Sequence, residues 1–120
     1  MSARRLRYFF EAGVVGTALW PDDVESPYGY PAELDRLPLG AALRAELDEL
    51  SERFQSSLDW DDPGGPSPWG PEEEARFAVR AVAALEAVRR ELGPEWTVVD
   101  RFRPARPVRP TRPVRQTRPV

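Results

Sequence analysis

The sequence predicts an α+β fold in which a small antiparallel sheet, made of an N-terminal hairpin and a C-terminal strand, is packed by two helices in the order ββααβ. Two periodicities carry this prediction. Apolar side chains alternate near the N-terminus, as in a strand, and recur every three or four residues in two later segments, as in a helix. We expect residues 1–100 to form a single α+β domain, because about 100 residues suit one modest core.

The hairpin is predicted by Leu6, Tyr8 and Phe10, which alternate with residues of the opposite face. The glycine-containing segment 13–16 supplies a turn, and residues 17–20 form the second strand before a proline stops it.

A long irregular connection is predicted for the acidic, proline-containing segment 22–38. Residues 96–99 (Trp-Thr-Val-Val) are typical of a third strand, which we expect to pair beside the hairpin and complete the antiparallel sheet.

Two amphipathic helices are predicted, over about residues 40–58 and 71–92. The first has the apolar stripe Leu43, Leu47, Leu50, Phe54 and Leu58. The second begins with a proline and three glutamates, ends before Gly93-Pro94, and has the stripe Phe77, Ala81, Leu85, Val88 and Leu92, widened by Ala78 and Val82.

Charge divides the chain into two parts. Residues 1–100 carry all 20 acidic residues and a net charge of −10, whereas residues 101–120 carry seven arginines and no acid, so that the whole chain has a net charge of −3. An acidic body raises the rate of encounter with a basic partner surface.

The missing residue types restrict the chemistry. The chain has no Cys, His or Lys, which excludes disulfides, thiolate nucleophiles, zinc–sulfur sites, histidine bases and Schiff-base lysines. We therefore expect a protein that is not an enzyme, with no catalytic residue, cofactor or resident metal.

The segment between the helices is a candidate binding surface. Residues 59–70 contain two tryptophans and three aspartates among prolines and glycines, and exposed tryptophans beside polar groups are typical interface anchors. We predict partner contacts at Trp60, Asp61, Asp62 and Trp69. Two alternatives remain: the tryptophans fold back onto the helix pair while the aspartates stay solvated, or the aspartates at 59, 61 and 62 bind Ca²⁺ or Mg²⁺.

Tyr28 and Tyr30 form a second candidate binding surface. They lie between prolines in Pro-Tyr-Gly-Tyr-Pro, residues 27–31, where they either stack on a partner or plug the edge of the core with their hydroxyls in water.

The last 20 residues predict a disordered Arg-Pro-x tail. Arginine recurs at every third position, which is the period of polyproline II, so the guanidinium groups would share one edge. These candidate contacts to phosphate or to an acidic partner are Arg103, Arg106, Arg109, Arg112, Arg115 and Arg118. Alternatively the tail is a tether, binds aromatic grooves through Pro-x-x-Pro-x-Arg, or lies on its own acidic body.

Several short motifs resemble those of a group of small, uncharacterised actinobacterial proteins of about 100 residues. They are Thr17–Trp20, Gly29–Pro31, Leu37–Leu39, Ser57–Trp60, Pro68–Trp69 and Glu91–Pro94. The resemblance covers most of residues 5–99 and implies a shared architecture, without an activity or a site to carry over.

The sequence thus favours a non-enzymatic protein-interaction module, of the inhibitor or immunity type, whose acidic body and Trp/Pro loop bind another protein with a basic surface. The alternative is a nucleic-acid-associated protein that uses the basic tail for weak, non-specific phosphate binding. No apolar run reaches the length of a membrane span, so we expect no membrane partner and a cytoplasmic location.

Overall fold

The computed structural model describes residues 4–62 and 66–102, which form a three-stranded sheet and two long helices, an α+β fold. Between the second strand and the first helix, Leu34–Arg36 form one turn of 3-10 helix. The strands and helices are β1 (Arg5–Tyr8), β2 (Leu19–Pro21), α1 (Ala41–Gln55), α2 (Pro71–Leu92) and β3 (Thr97–Asp100).

The sheet is mixed, with the strand order β2-β1-β3. β1 and β2 are antiparallel and pair Arg7 with Trp20, whereas β1 and β3 are parallel and pair Leu6 with Val98. The prediction of an antiparallel sheet is therefore wrong for β3. A short turn joins antiparallel strands, but the chain between β1 and β3 runs through β2 and both helices, and a long connection of this kind suits a parallel pair.

Helix α1 is shorter than predicted and ends at Gln55. Ser56 and Ser57 follow it, and their hydroxyls donate to the carbonyls of Arg53 at 2.7 Å and Phe54 at 2.6 Å. Serine hydroxyls compete in this way with helical hydrogen bonds, which accounts for the early end.

Helix α2 has the predicted bounds. A proline and three glutamates form its first turn, and Gly93, at φ +91°, ends it. The predicted core stripe is buried throughout, but Val82 is 46% exposed and Ala78 only partly buried. The prediction of a wider apolar face is therefore wrong at Val82, because Val82 lies only about 60° around the helix from Val79, which is 70% exposed.

Ion pairs join the two helices. Arg80 of α2 binds Glu46 of α1 through two hydrogen bonds, of 3.0 and 2.8 Å, and lies 3.4 Å from Glu49. The hydrogen bond to Glu46 is the main reason that the pKa of Arg80 is raised. Arg53 reaches Glu73 at 3.3 Å, so α1 turns this charged side toward α2.

The core lies between the sheet and the helices. Tyr8 is fully buried, and its hydroxyl donates to the Ala81 carbonyl at 2.7 Å. Phe102 packs edge-on against Tyr8 and Phe10, so contact with the core extends two residues past the predicted end of the domain at residue 100. None of the helices in the described part of the chain is long and apolar enough to cross a membrane.

Candidate functional site

A groove of about 590 Å³ opens on the side of α1 that faces away from α2. It lies between the turn of the β1–β2 hairpin, which contributes residues 15–17, and the loop after β2, which contributes residues 30–35. Val15 and Tyr30 at its margin are 53% and 42% exposed. We call this the hairpin groove; it offers apolar contacts beside charged ones.

Gln55, the last residue of α1, fastens the hairpin turn to the helix. Its Oε1 accepts a hydrogen bond of 2.7 Å from the Gly13 N–H, and its Nε2 donates to the carbonyls of Glu11 at 3.1 Å and Val14 at 3.0 Å. One carboxamide thus satisfies three backbone groups of the turn, which holds one wall of the groove in place.

The groove side of α1 is a polar stripe one residue out of step with the apolar stripe. Its members are Arg44, Asp48, Ser51 and Gln55. Ser51 is buried and its Oγ accepts a hydrogen bond of 2.7 Å from the Gly16 N–H. The sequence analysis did not select these residues; the spacing of four, three and four was the signal that could have found them.

The loop after β2 is fastened to the sheet. The Ala32 N–H donates to the Leu19 carbonyl at 2.9 Å. Gly29 has a φ of +96°, and a Cβ there would lie 3.0 Å from the Pro31 carbonyl oxygen, so this turn requires glycine. The second wall of the groove is therefore also preformed.

Tyr30 is held at the margin of the groove by two neighbours. Its ring packs edge-on against Trp20 at 5.7 Å between centroids, and its hydroxyl accepts a hydrogen bond of 3.3 Å from Arg7. A large part of the ring still faces solvent. Since its neighbours already hold the side chain in place, little side-chain entropy would be lost if a partner bound to it.

The groove is lined by more negative than positive charge. Glu33, Asp35 and Asp48 bring three carboxylates, against a single guanidinium from Arg44, and the Glu33 carboxylate also pairs with Arg36 at 3.1 Å. Arg44 donates to the Leu39 carbonyl at 2.8 Å, so part of its hydrogen-bonding capacity is already used within the domain. The lining favours a cationic partner.

The two predicted tryptophans have different environments. Trp60 is 57% exposed, and its Nε1 donates to the Gln55 carbonyl at 3.0 Å. Trp69 is only 7% exposed, packs on Phe77, and donates to Ser56 Oγ at 3.0 Å. Trp69 is thus the lid on the helix pair that the first alternative described, and it has almost no surface to offer a partner.

The aspartates of this loop form a local turn. The Asp59 carboxylate accepts a hydrogen bond of 3.1 Å from the Asp61 N–H, and Asp61 and Asp62 are exposed. Residues 63–65 lie outside the described part of the chain. Among the described residues, no three carboxylates gather around a point that a metal ion could occupy.

Tyr28 lies apart from the hairpin groove. Its ring packs 5.3 Å from that of Trp96, just before β3, and is partly buried, as the plug of the core edge would be. Of the predicted aromatic contacts, the structure therefore brings Tyr30 to the groove and Trp60 to its fastening residue Gln55. The six tail arginines from Arg103 to Arg118 lie outside the described residues.

Comparison with known proteins identifies the family of this chain. A search of curated proteins finds no match. The family model described as Serratia CdiI immunity protein-like matches residues 5–101, nearly the same residues as the resemblance seen in the sequence. Since this match spans both helices and the whole sheet, the chain belongs to the Serratia CdiI immunity protein-like family.

Proposed function

We propose that this protein neutralises a toxin by binding a basic surface of that toxin in the hairpin groove. Family membership supports the inhibitory, immunity-like role and a protein partner. The groove is our assignment within that role.

The preformed acidic groove is the observation that carries this proposal. Its carboxylates attract a basic surface over distances of about 10 Å at an ionic strength of about 0.1 M. Val15 and Tyr30 then supply apolar contacts at short range. Because hydrogen bonds already fix both walls, little conformational entropy is lost on binding.

The groove is suited to binding rather than to chemistry. Its hydroxyl groups belong to Thr17 and Tyr30, and both are engaged: Thr17 accepts from the Leu19 N–H at 3.2 Å, and Tyr30 accepts from Arg7. Among the described residues, neither is hydrogen-bonded to a carboxylate that would act as its base. Inhibition is therefore expected to follow from occupancy of the toxin.

The nucleic-acid alternative gains no support from the family match. The described groove is negatively charged and would repel phosphate, and the basic tail lies outside the described residues.

Calorimetric titration of this chain against a candidate toxin domain tests the proposal. Asp48→Arg reverses one charge of the groove lining. Glu25→Arg makes the same reversal at an exposed position that does not line the groove. We expect Asp48→Arg to weaken binding at least tenfold and Glu25→Arg to change it less than threefold, since a like charge opposite a basic surface costs several-fold more than a distant one.

Two results would contradict the proposal in different ways. If the toxin does not bind the unaltered chain, the immunity role for this pair is refuted. If it binds and the two variants weaken binding equally, the toxin contacts another face and the hairpin groove is the wrong site.

A further inference from the structure

The outward face of α2 exposes apolar side chains that the domain leaves uncovered. Val79 is 70% exposed and Val82 is 46% exposed, and the alanines at 75 and 83 beside them are exposed as well. All four lie within about 60° of Val79 around the helix, so they form one stripe. An exposed apolar stripe of this kind on a long helix is typical of a protein-binding surface.

Charged residues flank this stripe in a particular order. Glu72 and Arg76 precede Val79, and Glu86 and Arg90 follow it, all four exposed on the same side of α2. Within residues 4–62 and 66–102 none of the four makes an ion pair, whereas Arg80 on the adjoining side pairs with α1. Their charges are therefore available to a partner.

We propose that a second copy of this chain covers the stripe, with the two α2 helices antiparallel. When Val79 lies opposite Ala83 of the other copy, the two-fold axis crosses the helices at the level of Ala81 along their length. The same axis sets Glu72 opposite Arg90 and Arg76 opposite Glu86, because each pair is centred on Ala81. Every cross pair then joins opposite charges, and each pair occurs twice in a symmetric dimer.

The parallel arrangement fails the same test. It would put Glu72 against Glu72, and Arg90 against Arg90, so every flanking pair would repel. In the antiparallel pair the outer attractive contacts lie about 27 Å apart along the helix, at a rise of about 1.5 Å per residue, and they fix the register from both ends.

This dimer leaves the hairpin groove open. Glu46, Glu49 and Arg53 form the side of α1 that meets α2, whereas Arg44 and Asp48 form the side that lines the groove. Helix α1 thus lies between the groove and the α2 stripe. The inference is separate from the proposed toxin contact and does not depend on it.

The dimer should be weak. A contact made by one helix face is smaller than the roughly 1,200 Å² that stable complexes bury. We therefore expect monomer and dimer to interchange at concentrations between about 10 μM and 1 mM, a range that sedimentation equilibrium covers.

Charge reversals in sedimentation equilibrium test the register. Arg76→Glu alone sets Glu against Glu at both symmetric pairs, and Glu86→Arg alone sets Arg against Arg, so each variant should dimerise about tenfold more weakly. An equimolar mixture of the two restores both pairs, and the heterodimer should regain the original affinity. Glu25→Arg raises the net charge by the same amount as Glu86→Arg and is the control for that variant.

Val79→Asp provides a second test, because it puts two carboxylates near the two-fold axis and should leave the chain monomeric with unchanged helix content. The proposal is overturned if the unaltered chain is monomeric up to about 1 mM, or if it dimerises and Val79→Asp has no effect. It is equally overturned if mixing the two reversed variants does not restore the dimer.

Discussion

Gln55 connects the stability of the domain to the shape of the hairpin groove. In Gln55→Ala, the hairpin turn loses all three hydrogen bonds from the end of α1: one from the Gly13 N–H and two to the carbonyls of Glu11 and Val14. The backbone groups released can rebind water because the turn is largely exposed.

The expected cost follows from the number of bonds. A hydrogen bond of this type contributes about 0.5–1.5 kcal/mol net, and the partial exposure of these three favours the lower half of that range. We expect the free energy of unfolding to fall by about 2 kcal/mol in total. For a domain of this size that lowers Tm by about 10 °C.

Thermal unfolding followed by circular dichroism measures the effect, and Glu52→Ala is the matched control because Glu52 is exposed one turn earlier on the same helix. Gln55→Glu keeps an acceptor for Gly13 but directs a carboxylate at two carbonyl oxygens. It should be at least as destabilising at pH 7. Stability should recover as the pH falls toward about 4.3, because the two carbonyl oxygens raise the pKa of this carboxyl in the folded chain above its unfolded value. A Gln55→Ala variant that melts within about 1 °C of the control would refute this account of the groove.

Two further predictions concern the core. Trp69→Ala should cost about 3–5 kcal/mol in urea unfolding, because it opens a cavity over Phe77, whereas Trp60→Ala should cost less than about 0.5 kcal/mol; equal costs would contradict the burial of Trp69. Burial, with smaller contributions from the charges of Asp100 and Glu46, raises the pKa of Tyr8. The unfolded chain therefore loses this proton first, near pH 10, so stability should fall above about pH 10, and Tyr8→Phe should remove that fall in urea titrations across this range.

The helices could be predicted closely because their signals are local. Pro71 and the three glutamates after it mark the start of α2, Gly93 marks its end, and the period of 3.6 residues identifies the buried stripe between them. The early end of α1 escaped prediction because it depends on how the hydroxyls of Ser56 and Ser57 bind the last turn.

The direction of β3 and the exposure of Val82 depend on contacts distant in sequence. The residue types at 96–99 indicate a strand but do not show which neighbour it meets or in which direction. The helical period likewise gives the direction in which Val82 points from α2. Whether Val82 is buried depends on the width of the sheet that packs on the helix. With strands of three and four residues, the sheet is too small to reach it.

The candidate site was only partly predictable for a related reason. Tyr30 and Trp60 stand out in the sequence because aromatic residues in proline-containing loops, beside polar groups, are typical of contact surfaces. Ser51 and Gln55 look like ordinary solvated positions of an amphipathic helix, and only their bonds to a turn some 35 to 42 residues away give them a role.

Helix α1 separates the hairpin groove from the α2 stripe. Its apolar stripe faces the sheet, its Glu46 side binds α2, and its Asp48 side forms a wall of the hairpin groove. The buried stripe of α2 lies on the opposite side of that helix from Val79, which is why Val79 is exposed, and Arg80 pairs with α1 at the margin between the two sides. Since the groove and the α2 stripe share no residue, a change in one of these two proposed contact surfaces should leave the other undisturbed.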